Sequence, residues 1–377
     1  MRVLLTGGGS AGHINPALAI AHTIQQNDPH AVIEFVGIKN GKETELVPRE
    51  GYPLHFVESQ GFRRSFSLSN LRSAWLALTS PYSKKTKKIL KDFQPDIVIG
   101  TGGFACWPLM AAAARMGIPT AVHESNSLPG LTIRLLQNKV DCIWTNFEST
   151  ANHLKTKRPI LKVGNPLRGG FGGISKAEAR RALGISAEQC FILSFGGSLG
   201  AEEINRAVIR TMAEYTCKHP RILHLHATGK RDAQEAEALY REKGLQNYEN
   251  CVITDYIHDM SLRMAAADLV ISRAGAVTLS ELALLGKAAI LIPSPYVAEN
   301  HQYLNAKTIA DANAAVLIEE STLVGNALQE VIRELVDGTE KRKALEENIR
   351  AFADPKANQR IWEEILRLTE AKTKKTK

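Results

Sequence analysis

Three short stretches carry residue types that hold phosphorylated ligands. Near the N-terminus, Val3-Leu4-Leu5 leads into Thr6-Gly7-Gly8-Gly9-Ser10-Ala11-Gly12-His13, and Pro16, Ala17, Leu18, Ile20 and Ala21 open an apolar helical run. Gly7, Gly9 and Gly12 satisfy the G-x-G-x-x-G spacing in the strand, turn and helix setting it requires. Glycine there lets main-chain amides approach a phosphate, with the positive end of a helix behind them. In the second half, Phe191-Ile192-Leu193-Ser194-Phe195 runs into Gly196-Gly197-Ser198-Leu199-Gly200-Ala201 ahead of another helix. One such loop per half points to a diphosphate-bearing nucleotide held in a cleft shared by two domains. The plainer account is that the glycines only make tight turns.

A third loop, Ile271-Ser272-Arg273-Ala274-Gly275-Ala276-Val277-Thr278-Leu279-Ser280-Glu281, again joins a strand to a helix. Thr278 and Glu281 have capping-box spacing, and a Glu281 carboxylate facing the cleft accepts from both hydroxyls of a ribose. His13 is a proton acceptor suited to neutral pH, or else a histidine that positions the loop. A nicotinamide enzyme needs an acid at the end of the second strand for the ribose. Phe35-Val36 leads instead to Gly37-Ile38-Lys39, with Glu34 inside the strand facing a helix or solvent, so that reading is set aside.

The elements that must position these loops alternate. Strands are expected near 2–6, 31–37, 96–100, 119–123, 141–145 and 160–163, then near 190–195, 222–227, 251–255, 268–272, 288–292 and 314–318, with helical stretches between. The fold class is α/β, two Rossmann-like domains with parallel sheets facing a central cleft. The glycine-rich run Gly164 to Gly173 is the expected linker before a helix from Ser175 to Leu183, which sets domains at 1–163 and 164–340 and a helical segment with a basic tail at 341–377. The tail, Ala371 to Lys377, is expected to fray.

Composition narrows the partners. At 377 residues, 44% hydrophobic and 23% charged, the chain suits two folded domains. Apolar runs fall short of the roughly 18 to 20 residues a spanning helix needs, and no cleavable leader precedes the first strand, so a cytoplasmic protein is expected. Cys106, Cys142, Cys190, Cys217 and Cys251 are scattered, as reduced thiols are, and no metal site or cofactor is expected. The net charge of +8 favours anionic partners. Nucleic acid is not among them, because aromatics are 6% and none interleaves the lysines from 84 to 91. Leu68, Leu71, Trp75 and Leu78 recur at helical spacing before Lys84, Lys85, Lys87, Lys88 and Lys91. That is an apolar ridge beside a basic cluster, the pattern of a peripheral protein on an anionic membrane. It is also the pattern of a core-facing helix followed by a solvated one. Trp107, in the loop after Gly103, joins the membrane face on the first reading.

Seven motifs in order resemble the MurG family, which adds GlcNAc from UDP-GlcNAc to the lipid-linked muramyl-pentapeptide of bacterial peptidoglycan. They are Gly8 to His13 with Asn15-Pro16, Thr101-Gly102-Gly103-Phe104, His123-Glu124-Ser125-Asn126, Gly164-Asn165-Pro166-Leu167-Arg168, Gly196 to Ala201, Ser272 to Glu281, and His301 to Ala306. The resemblance implies a GT-B glycosyltransferase, peripheral on the cytoplasmic face of the membrane, with the donor held mainly by the second domain and the lipid acceptor by the first. It implies that Ser198 meets the diphosphate and Arg168 contacts the donor. Ile257 and the loop before Ala276 face uracil, Glu281 the ribose and Gln302 the sugar, with Thr278 and His301 beside them. Ser10, Ala11, Gly12 and Asn126 complete the site. Ser10-Ala11 stands where many relatives carry Thr-Gly. The implied reaction is attack of the muramyl C4 hydroxyl on C1 of GlcNAc with inversion. His13 is the favoured base and Glu124 its rival. With no Asp-x-Asp in the chain, loop amides and Arg168 stand where other sugar-nucleotide enzymes use a metal. Another GT-B glycosyltransferase, such as one with a diacylglycerol acceptor, or a sugar-nucleotide epimerase, shares these loops.

Overall fold

The computed structural model describes residues 1–59, 79–169, 171–197 and 199–376. The ridge at Leu68, Leu71, Trp75 and Leu78, and Ser198, lie outside them.

The alternating apolar runs form two compact units, one of Met1–Arg168 with Asp354–Lys377, the other of Gly169–Ala353. The first carries seven parallel strands: β1 (Arg2–Thr6), β2 (Val32–Gly37), β3 (Leu54–Phe56), β4 (Ile97–Gly100), β5 (Thr120–Glu124), β6 (Cys142–Thr145) and β7 (Ile160–Lys162), ordered β3-β2-β1-β4-β5-β6-β7. The second carries six: β8 (Cys190–Phe195), β9 (Ile222–Ala227), β10 (Cys251–Thr254), β11 (Leu269–Ser272), β12 (Ala288–Leu291) and β13 (Val316–Leu317), ordered β10-β9-β8-β11-β12-β13. Strands β4, β5 and β6 are buried along their whole length, as parallel strands with both faces covered must be.

Strand order reverses between β1 and β4 in one sheet and between β8 and β11 in the other. Ligands of open α/β sheets bind beyond the carboxyl ends of strands at such switch points. The loops that follow these four strands are the first and third glycine loops, Thr101–Phe104, and the loop from Gly196 on.

Three expectations are corrected. The first sheet has an extra edge strand, β3, too short at three residues to give a period-2 signal, and Glu34 Oε2 meets His55 Nε2 across β2 and β3 at 2.5 Å. The start of the expected linker is not loose: Asn165 is buried, Leu167 N donates to Asn358 Oδ1 at 3.1 Å, and the unit boundary falls after Arg168. The C-terminal segment divides. Helix Thr339–Ile349 stays with the second unit, while helix Ala357–Thr376 returns to the first. Its Ile361, Ile365 and Leu368 pack with Ile14, Ala17, Leu18, Ala21 and Ile24 of helix α1 (Ala11–Asn27). Each buried isoleucine contributes about 1.5–3 kcal/mol, which is why the chain ends in this unit.

Candidate active site

At the first switch point the glycines divide by what their neighbours demand. A Cβ on Gly8 would lie 2.6 Å from Glu43 Oε1 and 2.8 Å from the Ala105 Cβ, and Gly9 turns with φ +86° against the Phe104 ring. Packing alone explains those two. At Gly12 nothing lies nearer than Ser10 Oγ at 3.7 Å, and Ser10 and Gly12 are exposed at the start of α1, whose first turn holds no acid. That helix end keeps its attraction for an anion.

His13 and Thr101 bind each other reciprocally. Thr101 Oγ1 donates to the His13 carbonyl at 2.6 Å, and His13 Nδ1 lies 3.1 Å from the Thr101 carbonyl. A carbonyl only accepts, so the neutral ring carries its proton on Nδ1 and its lone pair on Nε2. Gly102 (φ +96°) and Gly103 (φ +76°) allow this approach, since a Cβ on Gly102 would lie 2.9 Å from His13 Nδ1.

At the end of β5 the motif His123-Glu124-Ser125-Asn126 is locked into its surroundings. The Glu124 carboxylate, 3% exposed, accepts from Asn126 N and Asn126 Nδ2 at 2.9 Å and from Gly130 N at 2.8 Å, closing the loop on itself. His123 Nε2 donates to the Gly164 carbonyl at 2.9 Å, and burial pushes its pKa down to about 4. Ser125 Oγ donates to Asn165 Oδ1 at 3.0 Å. Arg168, at the edge of the unit, sets Nη1 2.8 Å from Glu50 Oε1 and Nη2 3.5 Å from Asn15 Oδ1, while His22 Nε2 lies 3.3 Å from the other Glu50 oxygen.

In the second unit, a Cβ on Gly200 (φ +94°) would strike the Thr228 carbonyl, so the loop after β8 packs directly on the loop after β9. A buried chain of side chains stands beneath. Ser194 Oγ lies 2.9 Å from both His224 Nε2 and His226 Nδ1, His226 Nε2 is 3.0 Å from Asn205 Oδ1, and Asn205 Nδ2 donates to the Thr228 carbonyl at 2.9 Å. Every hydrogen bond of that chain is made when His224 donates to Ser194, Ser194 to His226 and His226 to Asn205, which leaves the buried Nδ1 of His224 without a partner. That assignment requires both imidazoles neutral, and burial holds both pKa values below the usual range.

Helix Glu202–Glu214, which follows the second glycine loop, carries Glu202 and Glu203 in its first turn. Both carboxylates are exposed, and Glu202 is paired with Arg206 Nη2 at 2.5 Å. Helix Ala276–Leu285 has no acid in its first turn. Its N-cap is Gly275 with no side-chain cap, so Thr278 and Glu281 lie inside the helix and form no capping box. The chain needs three residues after β11 to turn, which moves the helix start ahead of Thr278. Asn305, fully buried, donates through Nδ2 to the Ala274 carbonyl of that turn at 3.4 Å.

The family models for the glycosyltransferase family 28 N-terminal and C-terminal domains match residues 3–145 and 191–361. The UDP-N-acetylglucosamine–N-acetylmuramyl-(pentapeptide) pyrophosphoryl-undecaprenol N-acetylglucosamine transferase of Acetivibrio thermocellus is 40% identical over 370 residues, 97% of this chain and 97% of its own. The protein of that name from Alkaliphilus oremlandii is 39% identical, over 99% of this chain and 100% of its own. The chain belongs to the MurG family. The crystal structure of Acinetobacter baumannii MurG superposes with a TM-score of 0.74 at 25% identity, covering 97% of this chain and 99% of that one.

Against the residues expected of a MurG family member, the first unit brings Ser10, Ala11, Gly12 and His13 together with Thr101. Asn126 is half-buried and tied to Glu124. In the second unit Ile257 and Ala276 are buried, and Thr278 and Glu281 share one face of their helix, half-exposed. Gln302 Oε1 accepts from Ser294 N at 2.9 Å, so its amide nitrogen is the end able to donate to a sugar. His301 Nδ1 donates to the Ala298 carbonyl at 2.8 Å. Ahead of them Glu299 and Asn300 both have φ +51°, a left-handed pair without glycine of the kind that concentrates at binding sites. Trp107 is not in a loop but in the first turn of helix Cys106–Arg115, half-buried against the core.

Sequence reading missed Glu43, Asn205 and Asn305. For Glu43 the available signal was an acid among Gly37 and Gly41, small residues that leave room for a carboxylate. Asn205 and Asn305 are polar positions in otherwise apolar helical faces. Among the described residues no three His, Cys, Asp or Glu side chains cluster as metal ligands would, and no helix is long and apolar enough to cross a membrane.

Proposed function

We propose that the chain transfers N-acetylglucosamine from UDP-N-acetylglucosamine, with inversion, to the C4 hydroxyl of the muramyl residue in an undecaprenyl-pyrophosphoryl pentapeptide. The observation that carries the mechanism is the reciprocal His13–Thr101 pair, because it leaves the basic nitrogen of His13 as Nε2. The acceptor hydroxyl gives its proton to Nε2, its oxygen forms the bond to C1, and the bond from C1 to the diphosphate oxygen breaks with its electrons leaving on UDP. Glu124, with three donors on its carboxylate, acts as the residue that shapes the Ser125–Gly130 loop.

The leaving diphosphate is stabilised by Arg168 and by main-chain amides, in the second unit those of the loop at Ser198 and of the first turn at Ala276. Glu281 receives the ribose hydroxyls, Ile257 and Ala276 flank uracil, Thr278 and His301 line the pocket, and Gln302 donates to the sugar. No metal or other cofactor is required.

The acceptor is lipid-linked, so the first unit works as a peripheral domain at the cytoplasmic face of the membrane. Support comes from helix Lys84–Phe93, where Lys84, Lys85, Lys87, Lys88 and Lys91 are exposed while Thr86, Leu90 and Phe93 face inward. Tyr82 is exposed beside them with Arg115 stacked on its ring.

Following UDP release with EDTA present tests the reading. Release only when a short-chain lipid acceptor is added supports it. Conversion of UDP-GlcNAc to its C2 epimer without acceptor replaces it with the epimerase reading, and loss of release in EDTA overturns the metal-free step.

A further inference from the structure

The acid that the dinucleotide pattern requires at the end of β2 is absent from that place, and a different acid fills the space beneath the first glycine loop. Glu43 opens helix α2 (Glu43–Arg49) and is 1% exposed. Its Oε2 accepts from Gly9 N at 3.1 Å and its Oε1 from Ile38 N at 2.9 Å, so one carboxylate joins the loop after β1 to the loop after β2. Among the described residues it is met by main-chain amides and not by a cation. A Cβ at Gly8, Gly37 or Gly41 would run into this side chain, so three glycines make room for it. Buried carboxylates are costly unless their oxygens are satisfied, and three glycines kept for one acid mark its placement as specific.

Gly9 is the residue whose left-handed turn (φ +86°) delivers Ser10, the N-cap of α1, and His13 at the third position of that helix. We infer that Glu43 is the positioning residue of this loop: it holds the Gly9 amide inward and so sets where Ser10, Gly12 and the His13 imidazole stand. This rests on the reading in which that loop and His13 serve the acceptor hydroxyl.

Two variants reach the same carboxylate from different sides. Glu43→Gln keeps the shape but turns an NH2 toward one of the two N–H donors. Gly41→Ala places a methyl against the carboxylate from a half-buried turn outside the glycine loop, and it keeps the test open should Glu43→Gln not fold. Steady-state transfer is measured for both singles and the double variant, with UDP affinity by calorimetry and thermal melting alongside.

The expected result is a fall in kcat of at least about tenfold in each single, donor KM and UDP affinity within about twofold of wild type, and a double variant no worse than the poorer single. Wild-type kcat together with wild-type donor KM in either folded single, or effects that multiply in the double, overturns the inference. Non-additive effects that appear in donor KM with kcat retained leave Glu43 as the positioning residue and overturn the acceptor reading of the loop.

Discussion

His13 and Thr101 are joined in both directions, Oγ1 of Thr101 donating to the His13 carbonyl at 2.6 Å and Nδ1 of His13 donating to the Thr101 carbonyl at 3.1 Å. The first bond fixes the backbone at the start of α1, and the second fixes the tautomer. Replacing His13 with Ala is expected to lower kcat by about 10²–10⁴ while leaving UDP affinity within about twofold. Single-turnover rates check this, and a rate within threefold of wild type removes His13 as the base. Thr101→Val deletes the hydroxyl's bonds to the His13 and Thr6 carbonyls and is expected to cost about 1 kcal/mol of stability, with a smaller loss of rate.

Arg168 is held by Glu50 and Asn15 inside the first unit. A donor diphosphate competes with the Glu50 carboxylate for its guanidinium. Glu50→Gln then lowers donor KM by about threefold, in line with the 0.2–1 kcal/mol of a partly exposed ion pair, whereas Arg168→Ala raises it. A Glu50→Gln enzyme with weaker donor binding would show that the pair positions Arg168 for the donor.

Stability depends on pH through buried histidines. Burial holds His123, His224 and His226 below the ordinary 6.5, His123 at about 4. Below pH 6.5 the unfolded chain binds protons that the folded chain refuses, so stability falls as pH drops from 6.5 toward 4, by up to about 1.4 kcal/mol per pH unit for each histidine. Above 6.5 these residues contribute no slope. The carboxyls of Asp28, Glu178 and Asp268 are held below their ordinary values of 3.8 to 4.5, so their losses come at lower pH. Urea midpoints at pH 7.5, 6.5 and 5.5 are expected to be level between the first two and lower at the third; a flat series refutes it.

Lys84, Lys85, Lys87 and Lys88 lie on the solvent side of their helix, with Lys88 paired to Asp92 at 2.6 Å. Changing these four to Gln is expected to weaken binding to anionic vesicles by about 1 kcal/mol for each well-placed lysine and to leave UDP affinity unchanged. Co-sedimentation with phosphatidylglycerol vesicles reads this out, and unchanged binding moves the membrane face elsewhere.

Strand positions in both sheets were readable because buried parallel strands are short, β-branched and bounded by glycine. Edge strand β3 was not, since three half-buried residues carry no period. The glycine loops were readable as loops, but not which glycines serve packing. Gly8 and Gly12 look alike in sequence, and only the positions of Glu43 and Ala105 separate them. Thr278 and Glu281 matched a capping box because local spacing cannot tell where a chain leaving β11 has finished turning. The resemblance implied a donor contact for Arg168, but its pairing with Glu50 was not legible, because that partner lies 118 positions away.

The most direct measurement incubates the purified protein with labelled UDP-GlcNAc and a short-chain lipid-linked muramyl-pentapeptide, with UDP-GalNAc in parallel. The account predicts label transferred to the muramyl C4 position from UDP-GlcNAc alone. Transfer from both donors, or label that never reaches the lipid while UDP-GlcNAc is consumed, would contradict it.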